Sequence, residues 1–516
     1  MVAAVAIASL LLVGCVQPAP TAPVANVTVG GQDVVVRGPV GSRLTVAPAS
    51  GAPTAPAGLS FPFGALRVDV AGIAAGSVAR VTVTLPAPVT TVRKLVGGGW
   101  QPFDFDGTTG ATVSADGKIV TLLLRDGGRG DSDGSADGTV RDPVAPAVEQ
   151  APPVTATQVV TGPQFSCALL STGKVRCWGQ NQQRILGRDG PDSAIPVEIS
   201  GVDGAIQIAA GSTHVCALID DGTVRCWGNN GWGQLGDGSE PTLSGGTVSG
   251  PVTVEGLSDV VEVAAGSLVS CARLADGTVR CWGYGDAGTL GDGSTQTTSL
   301  PVTVTGVTGA TRLSVGGGLG CVIDAGGTRC WGNNFNGNLG NGTLESAPVT
   351  VPTAIPGLAT ATQIAPNDYH SCARLADGTV SCWGGAAFGA LGNGVPVFTE
   401  VSPTAVAVPT AVGGLGGVDQ VATGYFNSCA LSTGSVSCWG YNDEDNLGIG
   451  ADVHTGRPEP VDGLSGVTEI AMSDTHVCAL LTDGTVQCWG GNDRGAVGDG
   501  TFNPTVPNPT PVVGVT

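Results

Sequence analysis

The sequence predicts an all-β protein: a seven-bladed β-propeller preceded by a β-sandwich domain. Three observations carry this. First, a hairpin-like unit such as "CARLADGTVRCWG" (271–283) recurs seven times, its first cysteines 49, 55, 50, 51, 57 and 49 residues apart. A period near 50 with several short strands per unit marks a propeller. Second, glycine reaches 84 and proline 34 of 516 residues while 41% of the chain is hydrophobic, which fits short strands joined by many turns. Third, the segment before the repeats alternates apolar and polar residues in five strand-like runs.

From the start, the apolar run Val2–Val13 is too short to span a bilayer and suits the core of a signal peptide, taken as residues 1–14. "LVGC" (Leu12–Cys15) resembles the lipobox of bacterial lipoproteins. That resemblance implies cleavage before Cys15, its lipidation, and a Pro/Ala-rich tether over 15–25. No Lys or Arg precedes the apolar run, so translation is expected to begin upstream. The protein is thus expected to be an envelope lipoprotein, held to a membrane outside the cytoplasm.

Residues 26–142 contain "VANVTV", "DVVVRG", "LRVDVAGI", "ARVTVTLP" and "KIVTLLLRD", expected to form an antiparallel sandwich. The segment ends in "DGGRGDSDGSADGTVRDP" (126–143). With "WQPFDFDG", this resembles the choice-of-anchor domains of bacterial surface proteins. Asp126, Asp131, Asp133, Asp137 and Asp142 offer closely spaced hard oxygen ligands suited to calcium, the one cofactor anticipated. The spacing is not that of an EF-hand, and a solvated acidic turn is the alternative. "PVAPAVEQAPPVTAT" (143–157) reads as a linker, leaving 158–516 for the propeller.

Setting Cys15 aside, fourteen cysteines fall into seven local pairs. Cys167 goes with Cys177, Cys216 with Cys226, Cys271 with Cys281 and Cys321 with Cys330. Cys372 goes with Cys382, Cys429 with Cys438 and Cys478 with Cys488. If Cys271 faces Cys281, Ala275-Asp276-Gly277 becomes a three-residue loop with glycine where the left-handed conformation falls. The two shorter pairs lose one turn residue, leaving Ala325-Gly326 and Thr433-Gly434 as loops. Cysteine still faces cysteine, within disulfide reach. Each bridge would close a loop of about eleven residues, worth roughly 2.5–3 kcal/mol in the chain-entropy model. A metal would need four gathered ligands, and no matching histidine pairs exist. So many paired cysteines favour an oxidising compartment.

The unit's tryptophan recurs at Trp178, Trp227, Trp282, Trp331, Trp383, Trp439 and Trp489, a repeat position that suggests packing between blades. Residues 211–238 follow the pattern G-x-x-H-x-C-A-L-x-x-D-G-x-V-x-C-W-G-x-N-x-x-G-x-L-G-D-G. This resembles the regulator of chromosome condensation (RCC1) repeat family, whose fold is a seven-bladed propeller. Each unit is expected to start at "PVxVxG", as in 251–256. The closing "PTPVVGVT" looks like such a start, so Pro511–Val515 is expected to lend a strand to the first blade.

Three function classes stay open. The resemblance implies a monomeric scaffold gripping a protein partner through propeller loops, or nucleotide exchange as in the eukaryotic namesake. A glycan-acting enzyme would need an acid/base cluster outside the repeat. His214, His370 and His476 instead share one repeat position, and no H-E-x-x-H or phosphate loop occurs. The net charge is −20 and lysine occurs only at Lys94, Lys118 and Lys174, which argues against a nucleic-acid partner. The returns at 228–250 and 441–460 depart most from the repeat. Trp232, in the first, is the candidate partner anchor, with cover for a neighbouring blade as its rival role.

Overall fold

The computed structural model describes residues 21–29, 31–96, 99–129, 131–149, 153–241, 246–344, 347–395, 405–450 and 453–515. The signal segment, Cys15 and the start of the tether lie outside the described residues. The chain divides into two units, Met1–Pro152 and Pro153–Thr516.

The first unit has eleven strands: β1 (Val24–Val29), β2 (Gln32–Arg37), β3 (Arg43–Pro48), β4 (Leu59–Ser60), β5 (Leu66–Ala71), β6 (Val78–Thr84), β7 (Thr91–Val96), β8 (Gly99–Pro102), β9 (Gly110–Val113), β10 (Ile119–Arg125) and β11 (Thr139–Glu149). They form one sheet ordered β1-β2-β6-β10-β9 and another ordered β3-β5-β11-β7-β8, with β4 paired to the end of β11. Alternation decides what each strand buries. Val81 and Val83 of β6 and Leu122 of β10 meet Val68 and Val70 of β5 and Val140 of β11 in one core. The expected linker is partly strand: β11 runs on through Pro143 and Pro146 to Glu149. It pairs with β5 over 139–144 and with β7 over 144–147. Each proline therefore sits where only one neighbour is paired, the setting in which a strand tolerates a missing N–H.

The second unit holds seven consecutive four-stranded antiparallel sheets, spanning 156–198, 205–253, 260–303, 312–354, 361–411, 418–460 and 467–511. The third is typical, with strands Val260–Ala265, Val269–Leu274, Val279–Gly283 and Thr298–Thr303. First strands of successive sheets lie against one another, and the first strand of sheet seven lies against that of sheet one, so the series closes into a ring.

Two expectations about the ring are corrected. "PVxV" is the fourth strand of the preceding sheet, not the opening strand of its own unit: residues 247–253 pair with 224–229. The Gly-rich return is thus a connection within a sheet. Likewise, Thr505–Pro511 pairs with the third strand of sheet seven, not with sheet one. Val512 and Val515 then pack in a cluster with Trp178 and Val486. The last segment helps close the ring by burial, without donating a strand across it.

The cysteine hairpins follow their expected register. Cys271 lies opposite Cys281, Leu274 N–H bonds Thr278 O, and Gly277 has φ +78°. All seven local disulfides are present, with Cα–Cα separations of 4.0–4.1 Å. Cys167 is bonded to Cys177, Cys216 to Cys226, Cys271 to Cys281 and Cys321 to Cys330. Cys372 is bonded to Cys382, Cys429 to Cys438 and Cys478 to Cys488. The two pairs with one residue fewer keep cysteine opposite cysteine, as the shortened loops require. The glycine after each of the seven recurring tryptophans is required by close approach. At Gly283, φ +110°, a Cβ would stand 2.4 Å from Leu268 O.

Candidate docking face

In every sheet of the ring, the connection from strand one to two and that from three to four emerge at the same edge, because neighbouring strands run antiparallel. The cysteine turns emerge at the opposite edge. The two faces therefore draw on different sequence. The turn face carries Asp221, Asp276, Asp377 and Asp483, each bonded to the threonine two residues on. Those bonds hold all four carboxyls below their usual range.

The other face gathers the aromatic residues. All four tyrosines of the chain, Tyr284, Tyr369, Tyr425 and Tyr441, lie in its connections. Trp232, Phe335, Phe388, Phe426 and Phe502 lie there too. Over sheets five and six they form a continuous run. Tyr369 contacts Tyr425 and Phe426 at ring-centroid distances of 5.6 and 4.5 Å. Phe388 contacts Phe426 and Tyr441, and His454 stacks on Tyr441 at 5.0 Å. Tyr425 and Phe335 are 40% and 65% exposed, so aromatic surface is open to solvent at both places.

Carboxylates border this surface. Tyr441 Oη donates to Asp443 at 2.8 Å. Its hydroxyl is pushed up to about 12 by burial, then by Asp443 and Glu444. Burial and the charges of Asp493, Asp443 and Asp474 likewise raise Glu444. A cleft of about 190 Å³ between sheets three and four is lined by Tyr284, Asn333 and Asp368. A second, of about 220 Å³, adds Asp286 and Phe335. The face combines exposed rings, clefts and negative charge, which suits a partner with apolar and cationic groups.

Trp232 belongs to this face, where it is half-buried and meets Tyr284 of the next sheet edge-on at 4.8 Å. Sequence reasoning singled it out but missed the tyrosines, although a signal existed. Tyr284 and Tyr441 each stand two residues after a repeat tryptophan, and Tyr369 three before a first cysteine.

The repeat residues are structural. Each recurring tryptophan is fully buried, and its Nε1–H donates to a carbonyl of the preceding sheet, as Trp282 does to Gln234 O at 2.9 Å. His214, His370 and His476 bond Ser270, Ser428 and Ser166 of the following sheet, each at 2.7 Å. Burial lowers these histidines to about 4, 4 and 3, so they are neutral at pH 7 and poor proton donors there.

The aspartates singled out for calcium are engaged by backbone N–H groups and by basic side chains. Asp126 is buried and accepts from the backbone of Gly76, Asp137 and Gly138. Asp131 accepts from Gly127 and Arg141 N–H. Asp133 pairs with the Arg141 guanidinium, and Asp137 caps Thr139 N–H. Asp142 faces the core beside Lys94. Among the described residues no three His, Cys, Asp or Glu side chains are gathered as a metal site.

Comparison with known proteins places the ring. The Regulator of chromosome condensation (RCC1) repeat matches residues 156–184, 205–234, 260–289, 361–390 and 467–496. A second profile of the same repeat matches 172–218, 221–273, 330–374 and 433–480. Human E3 ubiquitin-protein ligase HERC2 is 29% identical over 272 residues, half of this chain but only 6% of that protein's length. The Arabidopsis thaliana ultraviolet-B receptor UVR8 is 26% identical over 361 residues, 68% of each. Among solved structures, yeast RCC1 (Prp20), crystallised bound to Kap60, superposes with a TM-score of 0.58 at 23% identity, covering 70% of this chain and 85% of that one. Human WBSCR16 superposes at 0.55 and 21% identity, over 75% and 97%.

Proposed function

We propose that this protein, a member of the RCC1 repeat family, is a seven-bladed propeller that docks a protein partner on its aromatic face. The reading extends to a β-sandwich first domain and to an envelope-anchored scaffold tethered through Cys15. The observation that carries docking is the placement of every tyrosine, with Trp232, Phe335, Phe388, Phe426 and Phe502, in the connections of a single face. Packing alone gives no reason for this asymmetry, because the seven core tryptophans already fill the junctions between sheets. Tyrosine and tryptophan supply much contact area at low entropic cost and are frequent interface anchors. Yeast RCC1, which shares the fold, has been solved bound to Kap60, and that supports a protein as the class of partner.

The test compares faces. Wild type, a variant with Tyr425→Ser and Phe335→Ser, and a turn-face variant with Asp276→Asn and Asp377→Asn are used to capture partners from native envelope extract. Docking on the aromatic face predicts a protein retained by wild type and the turn-face variant but lost from the aromatic-face variant. Equal capture by all three, or loss only from the turn-face variant, overturns the assignment.

A further inference from the structure

The first unit contains a charged pair that the docking face does not explain. Lys94 of β7 and Asp142 of β11 stand 2.9 Å apart, Nζ to Oδ1, with side-chain exposures of 8% and 0%. The register explains how they meet. Lys94 lies opposite Val144, so Asp142, two residues before Val144, is its diagonal neighbour on the same side of the sheet. A lysine reaches across that diagonal readily. Phe103, itself buried, flanks the amine, with Lys94 Nζ 5.4 Å from its ring centre. Among the described residues neither Asp142 oxygen accepts a well-directed hydrogen bond. Lys94 is one of only three lysines in the chain.

A buried ion pair normally needs further hydrogen bonds to offset the desolvation of both charges, and Asp142 lacks them. The pair has a second way to escape that cost. Burial pushes the Asp142 carboxyl up to about 7, against the pull of Lys94 and with help from the Asp131 charge. A buried carboxyl in direct contact with a lysine is a reactive combination, because an amine that hands its proton to its neighbour in a dry site becomes a nucleophile.

We propose that Lys94 and Asp142 join through an intramolecular isopeptide bond that ties β7 to β11. The ammonium of Lys94 first passes one proton to the Asp142 carboxylate, leaving a neutral amine beside a neutral acid. The amine lone pair attacks Asp142 Cγ and forms the Nζ–Cγ bond. A Cγ–O bond breaks, and that oxygen leaves as water with the carboxyl proton and one proton from the nitrogen. The product is a secondary amide, one water lighter than the pair. No oxidant, metal or second substrate is required. Asp131 lines the same cleft as Lys94.

Tryptic peptide mapping of the full chain after reduction tests this. Trypsin cuts after a free lysine but not after an acylated one. The bond predicts a branched species joining the peptide that begins at Lys94 to the peptide that begins at Asp142, one water lighter than their sum, and no cleavage after Lys94. Cleavage after Lys94, giving a linear peptide that begins at Leu95 and a separate linear peptide that begins at Asp142, overturns the proposal. Lys94→Arg and Asp142→Ala should each abolish the branched species entirely, and its persistence in either would overturn the residue assignment. The wild-type digest is decisive even if a variant fails to fold.

Discussion

The junction that closes the ring, from sheet seven to sheet one, differs instructively from the six junctions within the series. Consecutive sheets are joined by the chain, whereas the closing junction has no such link and no shared strand. Yet it uses the same devices. Trp178 donates to Ala496 O at 2.8 Å as Trp227 does to Ile185 O. His476 meets Ser166 as His214 meets Ser270. Closure is therefore one more copy of the repeating contact, made between the ends of the chain.

One device changes. Nine residues before the first cysteine, four sheets carry glutamine: Gln158, Gln207, Gln363 and Gln420. Each amide clamps one residue of the next sheet at two points. Gln207 Nε2 donates to Val263 O at 3.2 Å while its Oε1 accepts from Val263 N at 2.9 Å. Sheet three has Glu262 there, accepting from Leu313 N and paired with Arg273, which lies opposite it. At the closing junction the residue is Glu469, and Leu480 lies opposite. Among the described residues it accepts only from Val159 N–H, at 3.4 Å. A carboxylate cannot donate the second half of the clamp; a protonated carboxyl can.

The largest test asks whether the closing junction is equivalent to the others. Trp178→Ala and Trp282→Ala should each cost about 3–5 kcal/mol, the range for emptying a buried aromatic site. Denaturant unfolding of the disulfide-intact protein measures it. A Trp178→Ala cost below half that of Trp282→Ala would show that the closing contact is weaker than its geometry indicates.

Next in size is Glu469→Gln. Burial raises Glu469 to about 7, only partly opposed by the Val159 bond. Its folded-state affinity for the proton exceeds that of the unfolded chain, so its contribution is present at low pH and lost as pH rises through about 7. Glutamine restores the clamp without a proton. The variant should gain about 1–3 kcal/mol over wild type at pH 8, shrinking toward zero near pH 5, given about 1.4 kcal/mol per pKa unit. The buried histidines impose the opposite trend, losing stability as pH falls below about 6.5. They are common to both proteins and cancel in the difference. A difference independent of pH would refute the role assigned to Glu469.

Much of this architecture was legible in the sequence, for identifiable reasons. Cysteine pairs with fixed spacing around Asp-Gly turns specify hairpins, and a tryptophan at one repeat position specifies a shared packing role. The phase of the repeat was not legible. In a cyclic repeat any strand can be taken as the first, and only the pairing of 247–253 with 224–229 places "PVxV" in the earlier sheet. The prolines at 143 and 146 disguised a strand because their tolerance depends on which neighbours pair. The aromatic face was hidden because its residues come from separate connections that only the ring brings together. Lys94 and Asp142 are 48 positions apart in sequence and meet only through the register of β7 with β11.

The smallest effect concerns Trp232, at the junction of sheets two and three. There an aromatic contact with Tyr284 supplements the repeating devices; the closing junction has no counterpart among the described residues. An edge-to-face pair contributes about 0.5–1.5 kcal/mol beyond its buried area. If Trp232 serves only to cover its neighbour, Trp232→Ala should lower stability by about that amount and leave partner affinity per folded molecule unchanged. If it is also an anchor, affinity should fall by about 1–2 kcal/mol, the scale of an interface hot spot, whatever happens to stability. The half-buried position accommodates both effects together: the indole meets Tyr284 edge-on and still keeps some exposed surface on the docking face. Measuring unfolding and binding on the same preparation separates the two. Stability loss with unchanged affinity would reduce Trp232 to a packing residue and leave docking to the tyrosines and Phe335.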